Sequence, residues 1–117
     1  MSVNKQTIVE ALLELSDETL QRRLWLSTGE GEVSSFAEAI CRLFNDSGLE
    51  HELDRGRTVF GPEIDDFLVR FGKSLHDLDR LSYELSVDAF IAHPDMAAAR
   101  AFATAILVQI RSGEGSD

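Results

Sequence analysis

Ile64, Phe67, Leu68, Phe71, Leu75 and Leu78 fall at i, i+3, i+4, i+7, i+11 and i+14. Apolar side chains on that spacing share one face of an α-helix, whereas on a strand they would be split between both faces. This is the strongest periodicity in the chain, and it commits the middle of the sequence to a helix that must bury one side. Gly61-Pro62 opens it, because proline at the first helical position gives up an N–H that has no partner there anyway. Gly72 inside the run costs about 1 kcal/mol relative to alanine, so a bend or a close helix–helix contact is expected there.

A helix with one long apolar stripe needs partners of the same kind, and the flanking sequence supplies them. Ile8, Leu12 and Leu15, widened by Val9 and Leu13, predict a first helix over residues 5–15. Ser16 is placed to cap a second, with Asp17 and Glu18 in the first turn and Leu20, Leu24 and Trp25 on its apolar face. That helix should end near Ser27, before a turn at Gly29-Glu30-Gly31-Glu32. Ser35-Phe36-Ala37-Glu38 has the form of a capping box, followed by Phe36, Ile40, Leu43 and Phe44 at helical spacing. Gly48 is suited to close this third helix in the left-handed conformation. Pro94 begins the last helix, with Ala99, Ala103, Ile106, Leu107 and Ile110 facing inward, Phe102 at the edge, and Ala97 to Ala99 small enough for a close neighbour. It should stop at Ser112-Gly113. Residues 49–56 read as a further helical turn or two, and 81–93 mix strand-like with helical patterning.

The expected fold is therefore all-α: a compact single-domain bundle of five to six helices over residues 1–112, with 113–117 as a disordered C-terminal tail. A chain of this length buries roughly two-thirds of its unfolded surface and needs no disulfide or metal to fold. Cys41 stands alone, which excludes an intramolecular disulfide. Its place between Ile40 and Phe44 predicts a buried or half-buried inert thiol. Glu10 and Glu14 interrupt any signal-peptide core, and the longest nearly apolar run, residues 101–108, is far short of the ~20 residues that span a bilayer. A cytoplasmic protein with no membrane association is expected.

Charge is the other strong constraint. Eleven Lys and Arg oppose 21 Asp and Glu, for a net charge of −10. Half of that excess sits between Asp46 and Asp66, where Asp46, Glu50, Glu52, Asp54, Glu63, Asp65 and Asp66 face only Arg55 and Arg57. Such a surface repels phosphate backbones and anionic membranes and attracts basic partners. A DNA-binding regulator would need a basic helix, and there is none.

No catalytic constellation stands out. Asp65-Asp66 and Asp77-Leu78-Asp79 point about 100° and 200° apart on a helix, so neither pair converges on one metal or one substrate. Both read as solvated faces, which disfavours a hydrolase built on paired carboxylates. His51, His76 and His93 lack any metal-binding spacing, and no glycine-rich phosphate loop is present. Arg55 and Arg57 are surrounded by Glu50, Glu52 and Asp54, which predicts ion pairs rather than nucleic-acid contacts. Trp25 reads as core. No enzymatic activity, cofactor or metal is expected.

Four stretches carry a resemblance: LSDETLQRRLWLS at 15–27, SSFAEAICRLFNDSGL at 34–49, VFGPEIDDFL at 59–68 and AHPDM at 92–96. Together they resemble small helical immunity proteins of bacterial contact-dependent growth inhibition and related polymorphic-toxin systems. The likeness lies in helix starts and turns, with no fixed binding residues to carry over. It implies a cytoplasmic inhibitor that binds the C-terminal domain of a cognate toxin, often a nuclease with a basic substrate face. An acidic protein would compete there with phosphate for the same Lys and Arg side chains, and complementary charge would speed its capture. On charge alone, the seven carboxylates from Asp46 to Asp66 are the expected toxin-binding residues, held outward by the two helices they connect. An acidic regulatory or adaptor domain without a toxin partner is the alternative.

Overall fold

In the computed structural model, residues 3–26 and 34–114 are described. Among them the chain forms seven α-helices and no strand: α1 (Lys5–Ser16), α2 (Glu18–Trp25), α3 (Phe36–Cys41), α4 (Leu49–Asp54), α5 (Pro62–Glu84), α6 (Val87–Ala92) and α7 (Pro94–Glu114). The all-α expectation holds, with seven helices in place of five or six. The additional ones are short. Ser86 caps α6 by accepting from Ala89 N (3.2 Å), and the extended backbone required before Pro94 ends it at His93. α4 starts on Gly48, whose φ of 83° is the left-handed conformation expected of it.

Three helices make the centre. α1 packs along α7, and α5 packs against α7 from another side. Ile8, Leu12 and Leu15 of α1, Leu68, Phe71 and Leu75 of α5, and Ala103, Ile106 and Ile110 of α7 are all buried. The Phe71 and Phe102 rings lie 5.1 Å apart. The predicted stripes of α5 and α7 are therefore the core, except that Phe67 stays exposed at the stripe's edge and Ala97 and Ala98 face solvent.

The helix ends differ from the sequence expectation at α2 and α7. The cap of α2 is Asp17, which accepts from Leu20 N (3.1 Å), while Ser16 donates back to Leu13 O and completes α1. Ser35 does cap α3, accepting from Glu38 N at 3.1 Å. α3 then continues as a π-helical turn, Arg42–Asp46. α7 runs two residues past the expected stop, because Gly113 stays right-handed and does not close the helix. The expected turn at 29–32 and the last three residues lie outside the described residues.

Trp25 is buried, as expected, but the reason includes a partner that hydrophobic periodicity hides. Glu14 sits on α1 among apolar neighbours and is 3% exposed. Its carboxylate accepts from Trp25 Nε1 (2.8 Å), Ser34 Oγ (2.7 Å) and Arg42 (2.8 Å), so α1, α2, the segment before α3 and the π turn meet on one side chain. Beside it, the buried Gln21 donates to the carbonyls of Glu14 and Leu15 and accepts from Arg100, which also donates to Ile91 O. At the surface, hydrogen bonds from Arg22 to Asp88 and then to Glu18 raise the guanidinium pKa further, so this link between α2 and α6 is permanently charged.

Removing one member of a buried charged pair strands the others, a loss of about 3–5 kcal/mol. Glu14→Ala should therefore lower the unfolding free energy by ~3 kcal/mol in urea titration. Glu14→Gln, which keeps one acceptor oxygen, should lose clearly less.

Candidate functional site

The acidic stretch is not one surface. α4 and the turn after it form a compact hook between the π turn and α5, and its carboxylates point in different directions for different reasons.

Two of the seven are structural, which corrects the expectation that all face a partner. Asp65 is only 7% exposed. Its two carboxylate oxygens accept from Val59 N (2.8 Å) and Phe60 N (3.0 Å), folding the 58–61 connection back onto the first turn of α5. In that position it satisfies two backbone donors that neither a helix nor a strand would otherwise use. Val59 is thereby buried, and the half-buried Phe60 ring receives Lys5 Nζ 5.4 Å from its centroid. Glu52 is 8% exposed and faces Arg57 at 3.5 Å. Arg57 N also donates to Glu52 O, so the pair closes the turn behind α4. A third residue, Asp66, is exposed but engaged with Arg70 one turn along α5 (2.9 Å).

Asp46, Glu50, Asp54 and Glu63 are exposed. Asp46 ends the π turn, where Cys41 Sγ approaches it at 4.0 Å. Cys41 itself is exposed, contrary to expectation, because it lies on the outer side of α3, and Ile40 and Phe44 on either side of it are only half-buried. Glu63 stands in the first turn of α5.

Glu50 and Asp54 are brought together with residues that sequence reasoning left aside. They border a groove of about 790 Å³ between the π turn and α4 on one side and α5 on the other. Its floor is apolar: Ile40, Phe44, Leu53, Val69 and Leu75. From α5 the groove is also lined by Lys73, His76, Asp77 and Asp79. Among the described residues none of these four carboxylates has a hydrogen-bond or ion-pair partner in its side chain. A signal for this face was present: Val69, Gly72, Lys73 and His76 fall at i, i+3, i+4 and i+7, off the main apolar stripe.

Gly72 explains why the groove has this shape. A Cβ there would meet Phe44 Cζ at 3.0 Å, so the ring rests directly on the backbone of α5. The close contact expected at Gly72 is this one. The described residues contain no group of three His, Cys, Asp or Glu side chains placed to hold a metal ion, and no helix among them is long and apolar enough to cross a membrane. No family model, curated protein or solved structure matches this chain.

The division between structural and solvated carboxylates is measurable. Asp65→Ala removes a charged acceptor from two backbone donors and should cost about 2–3 kcal/mol in urea or thermal unfolding. Asp66→Ala, which breaks an exposed pair, should change stability by less than ~0.5 kcal/mol.

Proposed function

We propose that this protein is a binding inhibitor: an immunity protein that captures and neutralises the basic toxin domain of a contact-dependent inhibition system. The observation that carries this reading is that Glu50, Asp54, Asp77 and Asp79 line one apolar-floored groove, all four without a side-chain partner among the described residues. Carboxylates concentrated on a solvated surface repel one another and add little to folding. They are matched instead by a partner that brings Lys and Arg. The resemblance of residues 15–27, 34–49, 59–68 and 92–96 to immunity proteins supplies the identity of that partner, a toxin domain whose basic face serves to hold nucleic acid.

The mechanism is competition without chemistry. Carboxylates take the guanidinium and ammonium groups that would grip phosphate, and the apolar floor adds the water-excluding contact that gives such an interface its affinity. A standard interface buries ~1,600 Å² in total. The exposed face around the groove, extended to Asp46 and Glu63 at the two ends of the acidic stretch, would form the acidic part of such an area. Binding in the cytoplasm, before the toxin meets its substrate, follows from the same reading.

The test is co-expression with the variable C-terminal domain of a large secreted protein encoded in the adjacent upstream reading frame. We expect growth protection and a stoichiometric complex. Replacing Asp46, Glu50, Asp54 and Glu63 by Asn or Gln should leave the melting temperature nearly unchanged. It should weaken the complex about tenfold or more (~1.4 kcal/mol), chiefly through slower association with a flatter salt dependence. A co-expressed toxin domain that neither binds nor is restrained would overturn the reading, and an acidic adaptor would take its place.

A further inference from the structure

The groove has a more specific occupant than a basic surface in general. Its walls are helices, whose backbone N–H and C=O groups are already paired within each helix, so they offer no edge onto which an extended strand could be added. A segment docking here has to satisfy its own backbone, and a helix does so. The floor of Ile40, Phe44, Leu53, Val69 and Leu75 asks for apolar side chains, and the border of Glu50, Asp54, Asp77 and Asp79 against the single Lys73 asks for cations on both flanks. The groove is partly open to solvent, unlike the enclosed pockets that surround a small molecule. Val69 is 41% exposed although it lies on this floor, leaving an apolar surface unpartnered.

We infer that the groove between the π turn and α4 on one side and α5 on the other docks a short basic amphipathic helix of the partner protein. The helix seats apolar side chains at i, i+4 and i+7 on Val69, Phe44 and Leu53, and its Lys and Arg side chains flank Glu50, Asp54, Asp77 and Asp79. This rests on the reading of the protein as a binder of a basic domain and names the element of that domain that it takes. Charge complementarity sets orientation and on-rate, and the buried apolar side chains set residence time. Gly72 is part of the device, because a Cβ there would meet the tip of the Phe44 ring at 3.0 Å and the ring would have to shift from its place on the floor.

The experiment uses the whole chain and a synthetic helical peptide of about 15 residues, built from Lys and Ala with Leu at every third or fourth position. Binding is followed by fluorescence anisotropy, with circular dichroism to confirm that each variant stays folded. Val69→Asn should weaken binding about tenfold or more. Val108→Asn, at a valine 56% exposed on α7 outside the groove, should leave it unchanged. Asn and Val have similar helix propensity, so the contrast reads the groove and not the helix. Asp54→Asn with Asp77→Asn should also weaken binding and flatten its salt dependence. Equal affinity of the two valine variants, or equal binding of a peptide with Ser in place of Leu, would overturn the inference, since attraction would then be charge alone. Failure of the parent protein to bind the peptide would overturn it as well. Peptide binding in the groove without growth protection in cells would leave the inference standing while removing the toxin as partner. Undiminished protection by the Val69→Asn variant would do the reverse.

Discussion

A carboxylate leaves water only where donors replace the water, and Glu14 is where this fold meets that condition. Three donors reach it from three other parts of the chain: the Trp25 indole, the Ser34 hydroxyl and the Arg42 guanidinium. Each donor fixes an angle as well as a distance, so α2 must fold back on α1 and the π turn must lie across the same end. Replacing the carboxylate and its three donors together by hydrocarbon would cost little in stability, but it would remove the directional demand that apolar contacts alone do not make. Gln21 and Arg100 repeat the arrangement a turn away, tying α2 to α6 and α7. Around these polar points the packing of α1, α5 and α7 supplies the bulk of the burial.

The π turn has two consequences that belong together. By widening the helix at Arg42–Asp46 it accommodates both Arg42, turned inward to Glu14, and Phe44, laid on Gly72. One irregularity thus serves the core and shapes the floor of the external groove. π turns inside helices are found often at functional positions for this reason: they aim side chains in directions that a regular helix does not offer. The same element carries the scaffold's rigidity to the surface on which we place the partner.

Acidic residues here do three different jobs that a charge count cannot separate. Asp65 and Glu52 hold the hook after α4 in place by bonding backbone and a neighbouring arginine. Asp66, Glu18 and Asp88 neutralise cations at the surface. Glu50, Asp54, Asp77 and Asp79, which line one groove, have no side-chain partner among the described residues. Unpaired negative charge therefore gathers at the groove, and it includes a part of α5 well away from the acidic segment.

The sequence by itself determined the helical class, the long stripe of α5, the stripe of α7, the Ser35 cap and the left-handed Gly48, because each depends on residues within a turn or two of one another. It also marked Gly72 as a place of close approach. What it did not determine was which polar residues go inside. Glu14, Glu52 and Asp65 look like solvated acids along the chain, since their partners are an indole 11 residues away, an arginine beyond a turn, and two backbone amides in an irregular segment. The short helices α4 and α6 were ambiguous because a turn and a half of helix has too few positions for periodicity to register. The groove was invisible for a more general reason: Ile40, Leu53 and Val69 lie on three different helices. Only their packing, with Phe44 close against Gly72, places them around one cleft with Asp54 and Asp77.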